Sequence, residues 1–320
     1  MKIARYFGAG EVRIVEEQEP QCPEGGLLVQ TEACGLCSGE LMSWYMDKKV
    51  PHVIGHEVSG VVVESKDERF PVGSRIFPHH HAPCGSCEYC RTGRSVHCEQ
   101  WKSTKLLPGG MAERFAVPFG NLSDTILVNP LRAIDAALIE PMACVMKAIR
   151  LTGYAEKPAV VGLGVMGLMH MIALGDDAVG YDINPHRVSW AKRINVDARR
   201  NEDANINGHD VVFVCPGSQE AFDFAMTLVQ PGGKICMFAP LGPDQSLKLS
   251  QDVYFKDIQI INSYSCGPED TRAAWQLIEK GILKAEQVVS HFIKLDDLPS
   301  MYLAMKRGEI LKPMVIFGKP

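Results

Sequence analysis

Short apolar runs bounded by glycine and proline recur through the second half of the chain. Continuous apolar runs of this length are typical of strands buried on both faces of a parallel sheet. The clearest are "DVVFVCPG", "GGKICMFAPLG" and "IQIINSYS". The amphipathic stretches "SQEAFDFAMTLV" and "TRAAWQLIEKG" predict helices that alternate with these strands. The pattern therefore predicts an α/β domain built on a parallel sheet.

A glycine-rich turn opens this half of the chain. In "KPAVVGLGVMGLMHMIALG" a β-rich run leads to Gly162, Gly164 and Gly167 in G-x-G-x-x-G spacing, and an apolar helix follows. Glycines at these positions serve a tight turn, close approach of the backbone to a pyrophosphate, and helix–strand contact. The helix N-terminus favours the phosphate charge. The stretch predicts a dinucleotide-binding site.

An acidic residue follows at the spacing that such a site requires. "AVGYDIN" places Asp182 twenty residues beyond Gly162, at the end of a second predicted strand. A carboxylate there accepts the adenine-ribose hydroxyls of NAD and repels the 2′-phosphate of NADP. Arg187 is placed to stack on adenine, and no adjacent arginine replaces the acid. We expect NAD as cofactor, with NADP the minority case; a surface aspartate at a strand end is the alternative.

Four of the chain's 11 cysteines lie within fifteen residues, in "PCGSCEYCRTGRSVHC". Cys84, Cys87, Cys90 and Cys98 follow a C-x2-C-x2-C-x7-C spacing. Two-residue gaps let successive thiolates face one ion, and four thiolates leave zinc no open position. We predict a structural zinc lobe over about residues 83–99; disulfides and an iron–sulfur cluster are the alternatives.

A different set of metal-ligand types lies nearer the N-terminus, in "EACGLCSGELMSWY" and "VIGHEVSGVVVES". Neighbouring residues on a strand point to opposite faces, so His56 and Glu57 reach one ion only at a bend, which Gly55 permits. A thiolate, an imidazole and a carboxylate are a usual protein share of a catalytic zinc site. For the motif "GHE" taken alone, the alternative to a metal site is an exposed His–Glu pair.

Length, composition and charge exclude several function classes. At 320 residues and 35.2 kDa the chain exceeds one ordinary core, which favours two domains. A net charge of -5 and a pI near 6.1 argue against nucleic acid and acidic membrane surfaces as partners. The opening "MKIARYFGAGEVRIVEE" lacks the apolar core of a signal peptide, and no run is long enough to span a bilayer. We expect a cytoplasmic protein, in which clustered cysteines more often hold metal than form disulfides.

These motifs together resemble the zinc-dependent medium-chain alcohol dehydrogenases, of the sorbitol and threonine dehydrogenase type. The matching pieces run in family order over nearly the whole chain: "CGLCSGE", "GHEVSG", "VGSRIF", the four-cysteine lobe, "GGMAERFAVP", "IEPMACVMKAI", "VVGLGVMGL" and "LKPMVIFG". The resemblance implies a GroES-like, β-rich catalytic domain over residues 1–143 and 266–320. It also implies a Rossmann NAD-binding domain over residues 144–265 and two Zn²⁺ per chain, one catalytic and one structural.

The resemblance also implies roles for single residues. Cys37, His56 and Glu57 match the ligands of the catalytic zinc, whereas Cys34 matches a variable position and is expected in the core. Glu140 matches an acid that in this branch is a fourth ligand or holds the zinc-bound water. From the residues alone, Glu140 is a carboxylate at the start of a helix that "EPMACVMKAI" predicts from Pro141. The two roles are compatible.

The chain departs from the family at two positions of the usual proton relay. Gly39 stands where a serine or threonine is common, and Met42 stands where a histidine is common. The route of the proton is left open between zinc-bound water, Glu57 and one of His52 and His79. Glu40 matches a structural acid of the family, and we expect it to pair with a C-terminal base, Lys312.

Two further groups of histidine and cysteine residues are not expected to bind metal. His79, His80 and His81 are consecutive and cannot all face one ion in an extended strand, so we expect them to flank the site without binding metal. The remaining cysteines lie mostly in apolar runs, where we expect them to act as small core residues. These cysteines are Cys22, Cys144, Cys215, Cys236 and Cys266.

The function expected from the resemblance is NAD-dependent oxidation of a secondary alcohol, most simply a polyol, cyclitol or sugar-like small molecule, to a ketone. The alternative from another class is a catalytically silent relative that binds NAD and zinc as a scaffold or regulator. The retained Cys37, His56 and Glu57 argue against the zinc-free quinone-reductase branch, and the acidic balance argues against a nucleic-acid-binding zinc ribbon. The family suggests a homodimer or homotetramer, with "DIQIINSYS" pairing across subunits as an exposed strand edge does.

Overall fold

A computed structural model describes residues 1–318 of the chain. The fold divides into two compact units. One is Met1–Ala143 together with the segment that begins at Cys266, and the other is Cys144–Ser265. The last two residues of the predicted 266–320 segment lie outside the described residues.

The strands of the described chain, named β1–β16 in order, are mostly short. They are Lys2–Gly8, Glu11–Glu16, Leu27–Gly35, His52–Val53, Glu57–Ser65, Arg75–Pro78, Arg114–Val117, Thr125–Leu127, Pro158–Val161, Val179–Asp182, Ala198–Arg200, His209–Val214, Val229–Met237, Gln259–Asn262, His291–Ile293 and Pro313–Ile316.

The α-helices of the same residues, named α1–α12, range from one turn to four. They are Ser43–Met46, Glu88–Arg91, Glu99–Ser103, Ala133–Ala136, Ile139–Thr152, Val165–Leu174, Pro185–Arg193, Gln219–Leu228, Asp252–Phe255, Pro268–Glu279, Ala285–Val288 and Leu298–Lys306.

The unit Cys144–Ser265 is built on one parallel sheet. Its strand order is β11-β10-β9-β12-β13-β14, and every neighbouring pair is parallel. Counted within the unit, this is the order 3-2-1-4-5-6, the doubly wound arrangement of dinucleotide-binding domains. The apolar runs predicted as strands are β12, β13 and β14, and they carry a core that includes Val212, Val214 and Ile235.

Of the two helices predicted to alternate with these strands, only one belongs to this unit. "SQEAFDFAMTLV" forms α8 between β12 and β13, as its pattern predicts. "TRAAWQLIEKG" forms α10, but that helix follows the last strand of the sheet and belongs to the other unit. The amphipathic pattern identifies a helix with one buried face, and it does not say which core covers that face.

The other unit is mainly antiparallel. A three-stranded sheet has the order β2-β1-β4, and a larger sheet has the order β15-β16-β3-β5-β6-β8 with β7 also pairing β3. At one end of the central strand β3, Gly35 lies opposite Glu57 of β5 on one side and Met314 of β16 on the other. This register brings three distant segments of the chain to one end of the sheet.

Among residues 1–318, no helix has both the length and the apolar character needed to cross a membrane.

Gly167 provides a test of the turn between β9 and α6. A Cβ atom added at Gly167 would overlap the carbonyl oxygen of Gly162 and lie 2.9 Å from the carbon of that carbonyl. Both are backbone atoms of a turn in which Gly162 has φ +89°. Because overpacking of this kind costs about 1–3 kcal/mol or more, Gly167→Ala should lower the free energy of unfolding by at least that amount in urea denaturation.

Gly164→Ala is the matched control. Gly164 precedes α6 with φ -72°, and a Cβ added there meets no atom within 4 Å. Its loss of stability should stay below about 1 kcal/mol, the scale of a changed helix cap. Equal stability of Gly167→Ala and the unmodified protein would contradict the tight turn.

Candidate metal and coenzyme sites

Cys37, His56 and Glu57 converge in the unit that contains the N-terminus. Their ligand atoms, a sulfur, a ring nitrogen and a carboxylate oxygen, all lie within 4.8 Å of one another. Cys37 follows the end of β3, and Glu57 begins the neighbouring strand β5. Glu57 is buried, whereas Cys37 and His56 are half-buried. The two strand ends therefore bring together a sulfur, a nitrogen and an oxygen atom, the ligand types that zinc binds.

The bend that lets His56 and Glu57 face the same point lies at Gly55. Gly55 has φ +92°, and β5 starts only at Glu57, so His56 stands in the bend. A Cβ at Gly55 would lie 2.6 Å from the backbone nitrogen of Met111, which leaves no room for a side chain. The Gly55 amide donates to Glu40 Oε1 at 2.6 Å, and this bond fixes the bend.

The predicted pairing of Glu40 with Lys312 is wrong. Glu40 is the third residue of a 3₁₀ helix, Ser38–Leu41, and its carboxylate turns back toward the helix start, where Oε2 accepts from the Cys37 amide at 3.4 Å. Its Oε1 lies 3.4 Å from His56 Nδ1. A carboxylate behind a histidine in this way fixes the ring orientation and leaves Nε2 as the nitrogen for a metal.

Lys312 instead pairs with Glu57. Its ammonium group contacts Glu57 Oε2 and donates to the carbonyl oxygen of Leu36 at 3.0 Å, and both side chains are buried. Gly35 makes room for this pair, because a Cβ there would overlap Glu57 Oε2 and lie 2.9 Å from Lys312 Cε. The missing side chain at Gly35 leaves the space that the Glu57–Lys312 pair occupies.

Burial and neighbouring charges shift the pKa values of Cys37, His56 and Lys312. Burial raises the pKa of the Cys37 thiol, and the attraction of His56 offsets part of that effect. Burial alone would lower the pKa of His56, but the neighbouring charges of Cys37 and Glu40 raise it well above its ordinary value. Burial likewise opposes the charge of Lys312, and attraction to Glu57 more than compensates, so the Lys312 pKa is raised. Each of these shifts has burial as one cause and a neighbouring charged group as another, so the side chains are electrostatically linked.

Glu140 is not a member of this group. Its helix α5 begins at Ile139, two residues before the predicted Pro141, so Glu140 lies in the first turn. Its carboxylate belongs to a second group, with His79 and Cys266, in which the ligand atoms are again within 4.8 Å of one another. Burial raises the Glu140 pKa, while the charge of His56 opposes the rise.

The four cysteines of the predicted lobe form a third group. Cys84, Cys87, Cys90 and Cys98 have sulfur atoms all within 4.8 Å of one another. The Cys87–Cys90 and Cys84–Cys90 sulfur separations are 3.5 and 3.9 Å. Zinc–sulfur bonds of about 2.3 Å in a tetrahedron give edges of about 3.8 Å, so the residues fit a closed zinc site. None of the 11 cysteines, all of which lie within residues 1–318, is in a disulfide.

The three consecutive histidines have separate surroundings. His79 is buried, and its Nδ1 lies 2.7 Å from Asp124 Oδ2. The His80 ring centroid is 4.7 Å from that of His56, and burial holds the His80 pKa well below its ordinary value. His81 donates from Nδ1 to the Thr104 carbonyl at 3.0 Å, and burial lowers its pKa to about 4.

The group formed by His79, Glu140 and Cys266 was not predicted from the sequence. Glu140 lies 61 positions after His79 along the chain, and Cys266 lies 187 positions after it. No local spacing could have signalled the group, because the fold alone brings the segments together. Cys34, in contrast, is buried in the core as predicted.

The glycine-rich turn and Asp182 meet in the parallel-sheet unit. Gly162 donates its amide to the carbonyl oxygen of Tyr181 at 2.8 Å, and Gly164 caps α6. Asp182 ends β10, and its two carboxylate oxygens accept from the amides of Leu163 and Asn184, each at 2.7 Å. Arg187 Nη1 lies 3.8 Å from Asp182 Oδ2. The acid is therefore anchored beside the turn that the dinucleotide motif predicts.

Comparison with known proteins identifies both units. Residues 23–125 match the family model described as alcohol dehydrogenase GroES-like domain, and residues 162–280 match zinc-binding dehydrogenase. The L-threonine 3-dehydrogenase of Rhizobium etli is 27% identical over 316 residues, which cover 90% of each chain. The D-altritol 5-dehydrogenase of Agrobacterium fabrum is 25% identical over 318 residues, 93% of this chain and 94% of that protein.

A solved structure agrees in fold over the same extent. A zinc-binding dehydrogenase of Sinorhizobium meliloti bound to NADP superimposes with a TM-score of 0.87 at 23% identity, covering 98% of both chains. The predicted α/β architecture, a GroES-like domain with a Rossmann domain, is confirmed. The chain belongs to the zinc-dependent medium-chain alcohol dehydrogenases.

Proposed function

We propose that this protein oxidises a secondary alcohol of polyol, cyclitol or sugar-like character to a ketone, with NAD as hydride acceptor. The observation that carries the proposal is the convergence of Cys37, His56 and Glu57, whose ligand atoms lie within 4.8 Å of one another. A thiolate, an imidazole and a carboxylate would supply three ligands to zinc and leave room for the substrate oxygen.

When bound, zinc supplies Lewis-acid polarisation of the alcohol oxygen, and the nicotinamide ring supplies the hydride acceptor. Cys37, His56 and Glu57 would hold the zinc. Glu40 orients His56 through Nδ1, and the buried ammonium of Lys312 balances the charge of Glu57. The Gly39 amide donates to Cys37 Sγ at 3.4 Å, which stabilises the thiolate. Cys84, Cys87, Cys90 and Cys98 would hold the second zinc, which would keep the lobe folded.

Two relatives support a secondary alcohol as substrate. Their names place the reaction at carbon 3 of threonine and at carbon 5 of altritol, and both carbons bear secondary hydroxyl groups. The polyol character of the second relative supports the polyol class for this chain. No observation favours the catalytically silent alternative.

The choice of NAD over NADP rests on Asp182. Its carboxylate is 4% exposed and is held beside the glycine-rich turn by two backbone amides. A 2′-phosphate would bring about two negative charges toward a partly desolvated carboxylate, where like-charge repulsion costs several kcal/mol. Arg187 offsets part of this repulsion, since its Nη1 is 3.8 Å from the acid.

We also propose that subunits pair through β14. This strand, Gln259–Asn262, ends the parallel sheet and has one unpaired edge in the described chain. An exposed strand edge is a template for pairing with a second copy. Analytical ultracentrifugation of the unmodified protein should show a dimer or tetramer. Ile260→Pro disturbs the edge strand and should shift the protein toward the monomer. A monomeric unmodified protein would contradict the proposal.

The function is tested by coenzyme reduction with a panel of polyols, cyclitols and simple secondary alcohols. Turnover should require zinc and should fall more than about a hundredfold in Cys37→Ala, because Lewis-acid stabilisation is worth several kcal/mol. NAD binding, measured by fluorescence titration, should stay nearly intact in that variant.

Cys34→Ala is the matched control for loss of a thiol. Cys34 is buried three residues away and belongs to the apolar core, so its removal should cost some stability and leave most of the turnover. Equal turnover of Cys37→Ala and Cys34→Ala would contradict the assigned site.

Coenzyme preference gives a separate prediction. The unmodified protein should prefer NAD over NADP in kcat/KM by about two orders of magnitude or more, because each 1.4 kcal/mol is about tenfold. Asp182→Ser should sharply reduce the preference for NAD over NADP without changing the zinc content. Asp182→Asn keeps the size of the side chain and removes its charge, so it should narrow the preference as well. Equal use of NADP by the unmodified protein would mean that Asp182 does not face the ribose.

A further inference from the structure

A second set of thiol, imidazole and carboxylate groups lies in the same unit as the first. His79, Glu140 and Cys266 come from the end of β6, the first turn of α5 and the segment before α10. All three are buried, at 0%, 5% and 0% exposure. Their ligand atoms lie within 4.8 Å of one another, and none belongs to the Cys37 group or to the four-cysteine lobe.

The histidine of this set is held in the manner of a metal ligand. His79 Nδ1 lies 2.7 Å from Asp124 Oδ2 and donates to it, which leaves Nε2 facing Cys266. Asp124 is itself fixed, because its other oxygen accepts from Thr271 Oγ1 at 2.7 Å and from Arg272 Nη1 at 2.6 Å. A carboxylate that orients the far nitrogen of a histidine is the usual outer shell of a metal-bound imidazole. Glu40 stands behind His56 in the same way.

The distance between the two best-defined ligand atoms fits a shared ion. His79 Nε2 and Cys266 Sγ are 3.6 Å apart. Zinc bonds of about 2.0–2.1 Å to nitrogen and about 2.3 Å to sulfur at a tetrahedral angle give a separation of about 3.6 Å. The sulfur separations of 3.5 and 3.9 Å in the four-cysteine lobe follow the same rule.

The groups around the set hold its histidine in place. Asp124, which accepts from His79, also forms an ion pair with Arg272 at 2.6 Å. A thiol, an imidazole and a carboxylate at these distances offer one sulfur, one nitrogen and one oxygen ligand to a single ion.

We propose that His79, Glu140 and Cys266 bind a further divalent transition-metal ion, of which zinc fits the ligands best. Thiolate and imidazole select zinc over magnesium and calcium, which prefer oxygen ligands. Glu140 interacts electrostatically with His56 and Glu57, so this ion lies beside the first set and holds the Glu140 carboxylate there. The site is additional to the two zincs of the proposed function.

The test is the zinc content of the full-length protein. After saturation with zinc and gel filtration, the unmodified chain should carry three zinc ions by mass spectrometry of the metal. Cys266→Ala and His79→Gln should each carry two. Cys236→Ala removes a buried cysteine of the other unit that belongs to no metal-ligand group, and it should keep three.

Cobalt loading of the same variants gives a second measurement, which reports the ligands of the bound metal rather than its amount. Cobalt bound to Cys266 adds thiolate-to-metal absorption, which should fall in His79→Gln and Cys266→Ala and persist in Cys236→Ala. Two zinc ions in the unmodified protein, or three that survive both substitutions, would overturn the site. Because the readout is metal content, that outcome leaves the proposed dehydrogenase activity to its own test.

Discussion

The structure of the N-terminal unit depends on a buried ion pair between Glu57 and Lys312. Both side chains are almost fully buried, and the ammonium group also donates to the Leu36 carbonyl. Breaking such a pair leaves one uncompensated charge, which costs about 3–5 kcal/mol. The pair also fixes the position of the Glu57 carboxylate, because Lys312 holds it at the end of β3 beside Cys37 and His56.

The sheet register makes this pair possible. Gly35 of β3 lies between Glu57 of β5 and the strand that follows Lys312, and it has no side chain to separate them. Cys37 follows Gly35 by two residues, so the thiol reaches the same end of the sheet. The bend at Gly55 then turns His56 toward the thiol. The end of β3, where Gly35 has no side chain, thus supports a ligand group from two segments and a lysine from a third.

The parts of this fold that were predictable from sequence are those encoded by local spacing. Gly162, Gly164 and Gly167 with Asp182 specify a turn and a strand end because their roles follow from backbone geometry over twenty residues. The four-cysteine lobe was also predictable, because its four ligands lie close together along the chain. Pairings between distant segments were not predictable: Glu40 and Glu57 are both acids near the first ligand group, and only the register of β16 against β3 decides which one meets Lys312. The group of His79, Glu140 and Cys266 depends likewise on packing across most of the chain.

The central claim is that Cys37, His56 and Glu57 hold a zinc ion at the end of β3. Anomalous diffraction from crystals of the zinc-saturated protein, measured at the zinc absorption edge, tests this claim most directly. We expect a peak at bonding distance from all three side chains, with the peak in the four-cysteine lobe as an internal standard of occupancy. A strong peak in the lobe together with no peak between Cys37, His56 and Glu57 would contradict it.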